Sequence, residues 1–95
     1  MNMSNERIEE ERRLITELLK HREARIIVGL LLEESGVLRE SYNPNPYDTA
    51  FREGERKLGM RVLQMVHRVS EKQPFACMRE HASWLNKVKQ LEKKQ

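Results

Sequence analysis

Ala24-Arg25-Ile26-Ile27-Val28-Gly29-Leu30-Leu31-Leu32-Glu33-Glu34 is the stretch on which the fold turns. Ala24, Ile27, Leu30 and Leu31 recur at helical spacing and form a stripe. Ile26, Val28 and Leu32 then make the segment apolar nearly all round, the mark of the helix most deeply buried in a fold. Gly36, just beyond Glu33-Glu34-Ser35, stands where a helix closes on a glycine.

Downstream, Ser41-Tyr42-Asn43-Pro44-Asn45-Pro46-Tyr47 reads as a loop, because its two prolines oppose helix. Asp48 or Thr49 is expected to cap a further helix, with Glu53 adding favourable charge to its first turn. Phe51, Leu58, Val62, Met65, Val66 and Val69 run down one face of it to about Ser70. Pro74 suits the first position of a last helix, on which Phe75, Met78, Ala82, Leu85 and Val88 are spaced by three or four. Upstream, Ser4 or Asn5 can cap a first helix through the acidic run Glu6, Glu9, Glu10 and Glu11. Ile8, Ile15, Leu18 and Leu19 share a face of that helix, widened by Leu14. The polar run Lys20-His21-Arg22-Glu23 marks a bend or a solvated turn. No segment alternates with period two. The expected fold is all-α, with three to four helices in a small helical bundle or an extended helical adaptor.

Ninety-five residues make one domain at most, and a chain of that size buries only about two-thirds of its unfolded surface. With 38% of residues hydrophobic and 35% charged, mean hydropathy is −0.80. Long amphipathic helices fit that balance, as do helices that complete their core on a partner. Residues 1–48 carry 7 Lys/Arg against 10 Asp/Glu, a net −3, and residues 49–95 carry 11 against 5, a net +6. The basic half suits a solvated helix surface, nucleic acid, an acidic protein face or the acidic half of another copy. A lone cysteine, Cys77, makes no intramolecular disulfide and implies no oxidising compartment. No apolar run approaches the length of a membrane span. The charged N-terminus lacks the apolar stretch of a signal peptide, so the protein is expected to stay where it is made unless an assembly carries it.

Chemistry finds little purchase. Cys77 and His81 are four apart, a permitted geometry for two zinc ligands, but His67, His21 or a carboxylate would have to complete the site without any spacing signature. Packing is the better reading of the pair. Carboxylates such as Glu6 and Glu10 lie at helix-surface spacing with no pocket to shift either one. The segment Phe51–Gly59 carries two glycines but not the order of a phosphate loop. No catalytic, cofactor-binding or metal site is expected, and the chain reads as a non-enzyme. Gly54, beside Phe51 and Leu58, would let another helix cross closely, and Gly59 would allow a second approach, by a partner or within the chain. Arg52, Arg56, Lys57 and Arg61 form two neighbouring basic rows suited to non-specific contact with phosphates. The long loop before them does not fit a helix-turn-helix.

The stretch Thr49-Ala50-Phe51-Arg52-Glu53-Gly54-Glu55-Arg56-Lys57-Leu58-Gly59-Met60-Arg61-Val62-Leu63 resembles the T-A-F-R-E-G-x-R-x-x-G-x-x-L-L pattern of a family of short proteins of tailed phages and prophages, named after a Bordetella short-tailed phage. Leu31-Leu32-Glu33-Glu34-Ser35-Gly36-Val37-Leu38 is similar to the L-L-E-x-x-G-V-F that precedes it there, Leu38 standing where the family often has an aromatic residue. The resemblance covers residues 22–70, with 1–21 and 74–95 as flanking helices of one domain over 1–95. It implies an α-helical phage protein from the structural or head-and-tail genes, found in the virion and, during assembly, in the host cytoplasm. It carries no catalytic residues.

These readings give three expectations. Residues 24–34 and the face of Phe51, Leu58, Val62 and Met65 should form one core. Phe51, Arg52, Glu53 and Gly54 should be a structural corner, with Phe51 anchored in that core. Ile8, Ile15, Leu18 and Leu19 of the first helix, and Trp84, Leu85, Val88 and Leu91 of the last, should supply a docking surface for other phage structural proteins or copies of the chain, unless these helices close a four-helix bundle. A small cytoplasmic regulator binding DNA or a host protein is the competing function. No membrane contact is expected.

Overall fold

The computed structural model describes residues 4–38 and 46–94, without the side chains of 46–49. Its helices are α1 (Asn5–Leu18), α2 (Arg22–Glu34), α3 (Pro46–Val69) and α4 (Gln73–Lys93), and no strand occurs among the described residues.

Local chemistry explains most of the boundaries. The Ser4 hydroxyl accepts from the Arg7 amide at 3.1 Å, capping α1, and Glu6 places negative charge in its first turn. The polar run after Leu19 is a tight turn, in which the Lys20 and His21 amides donate to the carbonyls of Glu17 and Leu18. Gly36 has φ 69°, a left-handed conformation that costs an L-residue roughly 1–2 kcal/mol. It turns the chain so that Val37 folds back and is buried. Two boundaries differ from expectation. α3 starts at Pro46, ahead of Asp48 and Thr49, because a proline at the first helical position forfeits no intrahelical hydrogen bond. Pro74 lies one residue inside α4, which starts at Gln73. Residues 41–45 of the expected loop lie outside the described residues.

The expected core partner of α2 is corrected. α2 packs chiefly on α4 and α1 on α3, with lighter contacts from α3 to α2 and α4. Gly29 makes the α2–α4 contact possible. A Cβ there would fall 2.7 Å from the His81 Cβ and closer still to the Cys77 carbonyl, so the two backbones touch. The core is Leu19, Val28, Leu32, Val37, Val66 and Cys77, with Ile15, Val62, Leu63 and Met78 packed on it. Phe51 and Leu58, expected inside, are 70% and 67% exposed. Val62 and Val66 of the expected face do turn inward, but Gly59 and Leu63 complete that inward face, so its centre lies about a quarter turn from Phe51 and Leu58 at 100° per residue. Gly59 sets that rotation, since its missing side chain admits Ser35 and Val37.

Three arginines tie the helices together. Arg25 donates from Nε to Glu80 at 2.8 Å and from Nη1 to the Leu19 carbonyl at 2.7 Å, joining the α1–α2 turn to α4. Arg61 Nη2 lies 2.7 Å from both carboxylate oxygens of Glu11, and Arg12 donates to the Arg68 carbonyl at 3.3 Å. The molecule extends 50 × 39 × 18 Å, and its radius of gyration of 15.5 Å exceeds the roughly 12–13 Å of a compact chain this long. The helices form two joined pairs and not a closed bundle.

Candidate functional site

The groups with chemical potential do not converge. Cys77 is fully buried, and its thiol pKa is pushed up, first by burial and then by the Glu80 carboxylate, with Arg25 opposing. That is the reverse of an activated nucleophile. His81 is buried one turn further on, its ring 5.9 Å from that of Trp84, and its Nδ1 has no hydrogen-bond partner among the described residues. No group of three or more His, Cys, Asp or Glu able to hold a metal ion occurs among the described residues. On α1, the Glu10 and Glu17 carboxyls are held below their ordinary range by hydrogen bonds from Arg13 and Lys20. The Glu11 carboxyl is lowered chiefly by Arg61. These are surface ion pairs that stiffen the helix and tie it to α3.

The basic rows of α3 are divided. Arg61 is turned inward onto Glu11 and Arg56 lies 3.8 Å from Glu53, while Arg52 and Lys57 are exposed.

What the described surface does offer is an apolar groove. Leu31, Glu34 and Ser35 of α2 and its closing turn form one wall, and Glu55, Leu58, Gly59 and Val62 of α3 form the other, around about 380 Å³. Three construction steps produce it. The α2–α4 contact at Gly29 rotates Ile27 and Leu31 to the far side of α2, where they are 54% and 48% exposed. The seat of the Ser35–Val37 turn at Gly59 brings α3 alongside. The same rotation turns Leu58 out of the core and over the groove. Ile27 extends the apolar wall one turn along α2, and Phe51 extends it one turn beyond Glu55 on α3. Glu34 and Glu55 edge the groove, and among the described residues no cation lines it. Its volume is in the range of small-molecule pockets, yet among the described residues no set of polar groups converges to orient a small ligand. A large apolar contact fits it better.

The expected docking residues lie elsewhere and are distributed unevenly. Leu19 is 3% exposed and Ile15 packs on the core, so both are spent inside the fold. Ile8, Leu85 and Val88 are half-buried, whereas Leu18, Trp84 and Leu91 remain on the surface. Phe51, Arg52 and Gly54 are exposed and Glu53 is half-buried. A Cβ at Gly54 would meet nothing within 4 Å, so this segment does not form the expected inward corner. The groove itself was not foreseen, because Leu31 and Leu58 both read as core. The available signal was Gly59, whose small size fixes which side of α3 turns in.

Residues 15–79 match the family model described as Bbp19-like phage protein, a wider span than the 22–70 of the motif resemblance. No curated protein and no solved structure matches the chain.

Proposed function

This chain belongs to the Bbp19-like phage protein family, and from that premise and its exposed groove we propose that it is a non-enzymatic structural protein of the virion, docking in multiple copies on the portal, tail or internal core. The observation that carries this reading is the apolar face of Ile27, Leu31, Phe51 and Leu58, which the chain leaves exposed. Completing the burial of such side chains on a partner is worth roughly 1–2 kcal/mol each, a contribution that offsets part of the cost of association. The fold positions the face rigidly, since α2 is clamped from behind by α4 and α3 is seated at Gly59. Phe51 to Gly54, the most distinctive part of the family-like motif, adjoin the same face. No helix among the described residues is long and apolar enough to cross a membrane. Quantitative mass spectrometry of purified particles tests the proposal: the chain should be present at several copies per virion. Particles free of it, with the chain confined to the soluble lysate, would overturn the virion reading in favour of a cytoplasmic regulator.

A further inference from the structure

α4 outruns the core. Its last buried residue is His81, and Ala82 to Lys93, a further 12 residues, contain none. That arm is roughly 18 Å long. Trp84, Val88 and Leu91, at i, i+4 and i+7, continue the helix face that carries Cys77 and His81. Lys87 and Lys94 lie along one side of the stripe, Leu85 and Glu92 along the other, and Leu91 is 61% exposed. The arm is thus an apolar ridge with cations along one side.

The α2–α3 groove has the complementary character, with an apolar lining of Leu31, Leu58 and Val62 edged by Glu34 and Glu55. The chain's own arm is on the wrong side to fill it. Gly29, where α4 crosses, and Leu31, which lines the groove, are two residues apart and point roughly 160° from each other around α2. An arm that fits this groove therefore comes from another molecule.

We propose that the α4 arm of one copy, through Trp84, Val88 and Leu91, lies in the α2–α3 groove of a second copy of this chain, with Lys87 and Lys94 facing Glu34 and Glu55. This assignment rests on the docking reading above and names the occupant of that face. The two surfaces in contact are different, so the interface is heterologous and propagates head to tail into a ring or an open chain.

Sedimentation velocity of the full-length chain tests it, with two variants at exposed positions, Leu58→Asp in the groove and Leu91→Asp on the arm. Circular dichroism first checks that both retain the helical content of the parent. The parent should assemble beyond a dimer as concentration rises. Each variant alone should weaken association roughly 30-fold or more, as loss of an interface anchor does. An equimolar mixture of the two should form a 1:1 dimer and nothing larger, because only the arm of the Leu58 variant and the groove of the Leu91 variant are intact. A monomeric parent, variants that assemble like the parent, or a mixture that stays monomeric would each overturn the assignment. Particle content is read separately, so a monomeric chain that is nonetheless found in virions refutes this contact and leaves the docking reading standing.

Discussion

Replacing Gly29 by alanine probes the contact that organises the whole molecule. In an exposed helix interior the change would stabilise, because alanine is favoured over glycine by up to about 1 kcal/mol. At Gly29 the new methyl would sit 2.7 Å from the His81 Cβ and nearer still to the Cys77 carbonyl. Backbone cannot swing aside as a flexible side chain does, so α2 and α4 must separate. Overpacking of this kind costs about 1–3 kcal/mol, and contact with backbone puts Gly29 at the upper end. Subtracting the helix-propensity gain leaves a net loss of about 2 kcal/mol. For a chain of this length that lowers Tm by roughly 8–16 °C, a large part of a total stability on the order of 5–14 kcal/mol. Gly54 is the internal control, since a Cβ there meets nothing within 4 Å. Gly54→Ala should raise Tm by up to roughly 4–8 °C. Thermal melts followed at 222 nm compare the two. A Gly29→Ala chain as stable as Gly54→Ala would refute the close α2–α4 crossing and with it the outward rotation of Leu31.

The exposure of Leu58 has a direct counterpart in stability: Leu58→Ala should change it by no more than about 0.5 kcal/mol, whereas Leu32→Ala, at a site 2% exposed, should cost about 2–5 kcal/mol in urea titrations. Cys77 should react with a thiol reagent only after the fold opens, so labelling that is slow in buffer should become fast in denaturant. Its raised folded pKa means that the unfolded thiol ionises first, so stability should fall as pH rises past about 8.5, and Cys77→Ser should show a shallower decline. The lowered pKa values of Glu10, Glu11 and Glu17 act in the opposite direction. Their contribution is present above an unfolded value of about 4.3 and is lost as pH falls through the folded ones, so amide protection in α1, taken relative to the intrinsic exchange rate at each pH, should fall there before that of the rest of the chain.

Much of this architecture was legible from periodicity and end signals. Ser4 and Gly36 marked helix ends because each has a specific local role, a hydroxyl for an orphan amide and a left-handed turn. The run from Ala24 to Leu32 declared a buried helix through its apolar density. Which helix it packs on was not legible, because α2 has apolar residues on both sides and sequence adjacency favoured α3. The choice of α4 rests on Gly29, whose contribution is the absence of a side chain and leaves no trace in a hydrophobic pattern. Gly59 rotates α3 in the same silent way. Leu58 and Phe51 consequently read as core although they face outward, and the groove they border stayed hidden. On α4 the stripe of Trp84, Val88 and Leu91 was visible, but that it overhangs the core follows only from the short length of α2.

The most direct test of a function exerted through the α2–α3 face is the particle content of a phage carrying Leu58→Asp, read by quantitative mass spectrometry beside the parent. Both chains should accumulate as folded protein in the infected cell, since Leu58 supports no core contact. The parent should appear in purified virions at several copies, and the variant should be depleted at least tenfold. Equal amounts of the two in purified particles would contradict the claim that this face is what the protein docks with.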